Sequence, residues 1–146
     1  MAIKNGAKVF IRNENLGEYL FVLRDNKPTI PNPGMYGLLG GGIEEGEQSI
    51  EALKRELQEE SNICVYDIEE MGSRMVTYAT RSDGDKKTET IRLFVFLAKT
   101  DQSLEGLKLN EGQKLEYFTI EEALSKDNLS PAVRESIGEY GERLRQ

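Results

Sequence analysis

The chain is most constrained between residues 41 and 63. Gly40-Gly41-Gly42 runs through Ile43-Glu44-Glu45-Gly46-Glu47 into a segment, 48–60, with helical patterning. Ile50, Leu53 and Leu57 recur there at helical spacing, an apolar stripe suited to packing on a sheet. Glu56, Glu59 and Glu60 fall within roughly a 100° arc, about a quarter-turn from that stripe. Taken alone, a Glu-rich helix most often presents a solvated acidic face. Clustered carboxylates are also the hard oxygen donors that suit magnesium or manganese. The glycines let the backbone approach an ion or phosphate in conformations closed to residues with a Cβ.

The order Gly41, Glu47, Arg55-Glu56-Leu57, Glu59-Glu60, Ile63 resembles the Nudix box, G-x5-E-x7-R-E-U-x-E-E-x-G-U, where U is aliphatic. Such a set of identities arises by accident on the order of once in ten million starting positions, which outweighs the solvated-face reading. The resemblance implies metal-assisted hydrolysis of a diphosphate linkage. It makes Glu56, Glu59 and Glu60 catalytic and metal-binding, with the backbone carbonyl of Gly41 in the metal shell. It gives Glu47 and Arg55 the part of an ion pair bracing loop against helix. Asn62 departs from the box, whose final Gly takes a left-handed conformation after the helix. Asn is the next most tolerant residue there, so a small stability cost and an intact site are expected. Leu39 and Tyr36 stand where many members have Pro and Trp, which bears on loop rigidity and stacking surface.

Outside the box the chain looks like MutT-type members. Ile11-Arg12-Asn13-Glu14-Asn15 resembles their first strand and turn. Asn110-Glu111-Gly112-Gln113 resembles a loop that delivers one more catalytic or metal-bound Glu, which makes Glu111 a candidate. The other reading is an ordinary turn before a strand. Val133, after Ser130-Pro131-Ala132, stands where those enzymes carry a base-reading Asn. Strict selection of oxidised guanine nucleotides by that contact is therefore not expected. Tyr78 is a candidate for base stacking, against the ordinary role of a strand Tyr in core or sheet surface. Arg24 is the first choice of cation to reach phosphates, ahead of Arg74, Arg81, Lys86 and Lys87.

The remaining sequence reads as alternating elements. Ala7–Arg12 and Tyr19–Arg24 predict a hairpin, and Asp25–Gly37 a loop that Gly40–Gly42 continue. Ile63–Tyr66, Ser73–Tyr78, Thr88–Ala98 and Lys114–Thr119 predict strands, with a turn at Asp83-Gly84. Thr88–Ala98 is apolar on both faces in its second half, as a central strand is. Ile120–Ser125 predicts a short helix, and Ser130-Pro131 caps a last helix ending near Arg145. This order implies an α/β class fold, an α/β/α sandwich rather than an all-β barrel; the resemblance implies that it is the Nudix fold, with a mixed central β-sheet. Residues 1–146 are expected to form a single domain.

Composition narrows the chemistry. A net charge of −7 disfavours a nucleic-acid polymer as partner. The absence of histidine removes imidazole as base, phosphoryl acceptor or zinc ligand. A lone cysteine excludes an internal disulfide. No apolar run reaches the ~18 residues of a membrane span, and Met1–Gly6 lacks a signal-like core, so a cytoplasmic protein with no membrane partner is expected. The resemblance implies a small nucleotide substrate, a magnesium or manganese cofactor, and homodimers as a common assembly. The leading activity is cleavage of nucleoside triphosphates to monophosphate and pyrophosphate. Alternatives are dinucleoside polyphosphate, ADP-ribose or nucleotide-sugar hydrolysis, and a non-catalytic nucleotide sensor on the same fold. An isomerase of isoprenoid diphosphates ranks low, since that group relies on His and Cys.

Overall fold

Period-two alternation in the strands and the stripe on the box helix resolve into three layers. The computed structural model describes residues 4–82 and 85–146. Among these, seven strands share one sheet: β1 (Lys4–Asn13), β2 (Glu18–Leu23), β3 (Tyr36–Gly37), β4 (Leu39–Gly42), β5 (Tyr66–Ser82), β6 (Asp85–Thr100) and β7 (Lys114–Phe118). The helices are α1 (Ser49–Glu60), α2 (Ile120–Leu124) and α3 (Pro131–Leu144). None of them is long and apolar enough to cross a membrane.

The main path of the sheet is β3-β2-β1-β6-β5, with β4 on β1 and β7 on β2. β1 and β6 run parallel from Lys4↔Ile91 to Asn13↔Thr100, while the other pairs are antiparallel, so the sheet is mixed. β6 lies between β1 and β5, the central place its two apolar faces predict. Its Leu93, Val95 and Leu97 face one core and Phe96 and Ala98 the other. β1 divides likewise, Phe10 to one side and Ala7, Val9 and Ile11 to the other. The first core is closed by Ile120 and Ala123 of α2 and by Val133, Ile137 and Leu144 of α3; the second by Leu53 and Leu57 of α1. The predicted stripe of α1 is thus the packing face, with Ile50 at its margin.

Local chemistry explains the ends of these elements. In the β1–β2 hairpin the Asn13 side chain accepts from the backbone of Asn15 at 2.9 Å, and Gly17 takes φ 68°. Glu51 accepts from the Gln48 backbone at 3.0 Å, closing the N-terminus of α1. Ser130 caps α3 by accepting from Val133 N, with Pro131 in the first turn.

Four local expectations are corrected. The Asp25–Gly37 loop stops short of Tyr36–Gly37, which pair with Leu23 and Val22 as β3. Gly40–Gly42 is not loop but the greater part of β4, paired as Lys8↔Gly40, Ala7↔Gly41 and Gly6↔Gly42. The glycines permit this: Gly40 has φ 133°, and a Cβ there would collide with the Ala7 carbonyl. Ile63–Tyr66 is not a strand, and β5 begins at Tyr66. The backbone of Cys64 bonds instead to the side chains of Gln102, at 2.6 Å, and Thr100, at 2.9 Å, while Ile63 is buried. Asn62 does not adopt a left-handed conformation; among the described residues only Asn32 and Asp67 are non-glycines that do. Its side chain ties α1 to the following loop, accepting from Lys108 N at 2.7 Å and donating to the Gly106 carbonyl at 2.8 Å. The predicted turn at Asp83-Gly84 lies outside the described residues.

Candidate active site

The apolar stripe that docks α1 on the sheet turns its carboxylates toward β4. Arg55 gathers them. It holds Glu47 with two parallel hydrogen bonds, Nε to Oε2 at 2.8 Å and Nη2 to Oε1 at 3.0 Å, the fork geometry that suits guanidinium. Nη2 also donates to the Gly42 carbonyl at 2.9 Å, and Nη1 reaches Glu56 at 3.1 Å and Glu59 at 3.3 Å. Glu47 in turn accepts from Glu44 N at 2.8 Å. The Arg55 guanidinium and that N–H hold the Glu47 carboxyl below the usual carboxylate range.

Glu56 and Glu60 approach β4 at successive glycines. The Glu56 carboxylate occupies the space a Cβ on Gly41 would take, its oxygens 2.5 and 2.7 Å from that point. Glu60 accepts from Gly40 N at 3.0 Å. Burial raises the Glu60 pKa, while the charge of Lys8 and the Gly40 N–H oppose the rise. Glu59 is the most exposed of the three.

Glu111 arrives from a distant loop whose ends are fixed. Asn110 donates from its backbone to the Glu60 carbonyl at 2.8 Å and from its side chain to the Glu59 carbonyl. Gln113 bonds the carbonyls of Leu23 and Arg24, each at 2.8 Å. These anchors bring the Glu111 charge close enough to raise the pKa of Glu60.

A cleft of about 590 Å³ opens beside β4 on the α3 face of the sheet, and its walls include Gly41, Arg24, Tyr78, Val133 and Lys8. Arg24 is held by the Pro31 carbonyl at 2.9 Å. Tyr78 is half-buried and donates to Glu89 at 2.7 Å; burial and that bond push its hydroxyl up to about 12. The cleft and the carboxylates meet at Gly41 and Gly42, so the sequence candidates form two groups joined at β4. Tyr36 belongs to neither as a stacking surface. It is buried against Phe118 with its hydroxyl on Glu116.

Lys8 is the site-lining residue that the motif passes over. It lies on the Phe10 face of β1, and its ammonium donates to the Leu38 and Gly40 carbonyls at 3.3 and 3.0 Å. The sequence carries little signal for it, because Lys8 shares its strand face with Lys4, Gly6 and Arg12 and so reads as a solvent-facing position opposite Ala7, Val9 and Ile11.

The donors suit a hard divalent cation, and the Gly41 cradle brings the Glu56 carboxylate against the strand. Among the described residues no three acidic, His or Cys side chains already converge on one point. Arg55 draws Glu56 and Glu59 to itself, and Glu60 is turned to Gly40. All three stem from consecutive turns of one helix, with Glu59 exposed.

A family model, the NUDIX domain, matches residues 3–139. No curated protein sequence is significantly similar to the chain. Solved structures share the fold at low identity. The MutT protein from Methanosarcina mazei is 20% identical with a TM-score of 0.69, over 99% of this chain and 96% of that one. Dihydroneopterin triphosphate pyrophosphohydrolase from E. coli is 17% identical with a TM-score of 0.68, over 96% and 97%. The NUDIX domain of Shewanella oneidensis NrtR, complexed with ADP ribose, is 20% identical with a TM-score of 0.67, over 99% and 88%. The chain belongs to the NUDIX domain family and is a Nudix hydrolase, of the class that acts on nucleoside diphosphate-linked compounds with divalent metal cations.

Proposed function

We propose that this hydrolase cleaves nucleoside triphosphates to a nucleoside monophosphate and pyrophosphate with magnesium or manganese as cofactor. The observation that carries this reading is the junction at Gly41–Gly42 between a largely apolar cleft, sized for a nucleoside, and the α1 carboxylates. Glu56, Glu59, Glu60 and the Gly41 carbonyl would hold the cation, which supplies charge neutralisation on the phosphates. Arg55, fixed by Glu47, orients Glu56 and Glu59. A water attacks one phosphorus, the bridging P–O bond breaks, and Glu60 or Glu111 accepts the proton of the water. Burial raises the Glu60 pKa, which makes its carboxylate a stronger base than an ordinary one. Arg24 reaches phosphate, and Tyr78 stacks on the base from the cleft wall. Val133, buried and apolar in that wall, offers the base no side-chain hydrogen bond.

The test is magnesium-dependent hydrolysis of canonical and oxidised triphosphates, diadenosine tetraphosphate, ADP-ribose and a sugar nucleotide, with products identified by mass. Monophosphate plus pyrophosphate is expected. Turnover of only the ADP-linked compounds would move the substrate to capped diphosphates. Full turnover by Glu56→Gln and Glu60→Gln variants would refute the assigned carboxylates.

A further inference from the structure

We propose that Lys8 is a substrate-binding residue that takes the phosphate chain where it passes from the cleft to the α1 carboxylates. This rests on the reading of the cleft as the nucleoside site. Lys8 lines the cleft at the end where Gly41 and Gly42 complete its wall, opposite Gly40 in the β1–β4 ladder. A nucleoside in the cleft with its phosphates on Glu56 and Glu60 must run its chain past this ammonium.

The charge is costly where it stands. Lys8 is partly buried in a central strand, and among the described residues no carboxylate lies within 4.0 Å of it. Two of its three N–H groups are taken by the Leu38 and Gly40 carbonyls, which fix the ammonium at the cleft wall. Burial disfavours its charged form most, Arg24 adds to that, and the charges of Glu60, Glu56 and Glu111 oppose it without outweighing the burial. An internal cation short of a direct counter-ion, with a donor to spare beside a diphosphate site, is matched by an anionic ligand. Lys8 and Arg24 then flank the chain from the cleft side, while the carboxylates act on it from the helix side.

The competing reading is a strut: the ammonium only braces the backbone of residues 38–40. Lys8→Met separates the two, since it keeps the stem and removes the charge. The probe is inorganic pyrophosphate with magnesium, titrated calorimetrically into the unaltered protein and the variant. Substrate contact predicts a Kd raised about tenfold or more. It also predicts a KM for nucleoside triphosphate raised in step, kcat within about threefold, and an unchanged melting temperature. Equal pyrophosphate affinity in both proteins, or none in the unaltered protein, overturns the proposal. So does a variant whose kcat and melting temperature fall while pyrophosphate affinity holds. Should Lys8→Met not fold, the Lys8 Nζ resonance of the unaltered protein answers instead: a shift on adding pyrophosphate supports contact, and no shift refutes it. Turnover by the unaltered protein is scored apart. Pyrophosphate bound through Lys8 without triphosphate turnover sinks the substrate reading and keeps this one; turnover with pyrophosphate indifferent to Lys8 does the reverse.

Discussion

Replacing Gly41 by Ala isolates the cradle under Glu56. The backbone at Gly41 is not in the left-handed region, so Ala fits its conformation. The new methyl would stand where the Glu56 carboxylate now lies, 2.5 and 2.7 Å from its oxygens. The atoms displaced are the far end of a flexible side chain, so the carboxylate yields, at about 0.5–1.5 kcal/mol for an off-rotamer excursion. Lower entropy of the unfolded chain returns about 0.4–1 kcal/mol. Net stability therefore changes by no more than about 1 kcal/mol, a melting shift of roughly 4 °C. Function is hit harder. Glu56 loses its place against β4 and its 3.1 Å contact with Arg55. Disturbing the support of a metal ligand costs about 10–100-fold, or roughly 1.4–2.7 kcal/mol in kcat/KM. The assay pairs thermal melting with magnesium titration of the rate. Unchanged magnesium dependence and turnover in a folded Gly41→Ala protein would refute the idea that Glu56 works from this position.

Gly40→Ala should behave in the opposite way. Its φ of 133° and the Ala7 carbonyl leave no space that a side-chain motion can clear, so stability falls by about 3 kcal/mol or more in a denaturant melt. Asn62→Gly, which restores the box residue, removes two hydrogen bonds and should cost about 1–2 kcal/mol with turnover unchanged; a gain in stability would contradict the bridging role. Magnesium affinity, followed calorimetrically with pH, should start to fall at a higher pH than an ordinary carboxylate of 4.5 would give, because a proton competes at Glu60. Glu60→Gln should remove that dependence. Between 4.5 and the raised value the folded state binds the extra proton, so the Glu60 contribution to stability declines as pH rises through that window.

What could be read from sequence was local. α1, its stripe and the face carrying Glu56, Glu59 and Glu60 follow from spacing along thirteen consecutive residues, 48–60, because helix geometry relates near neighbours. The hairpin, the central place of β6 and the Ser130-Pro131 cap were legible for the same reason. The role of Gly40–Gly42 was not, because three glycines suit a loop or a strand pressed against another backbone, and only β1 decides between them. Asn62 escaped a family-based expectation because its partners, Gly106 and Lys108, lie more than forty positions away. Lys8 meets its carbonyl partners across 30 and 32 positions. One chain segment could thus specify the carboxylates by itself. Which cation, which distant Glu and which cleft they would share depended on strand pairing and loop anchoring between remote residues, and only the packed sheet sets those.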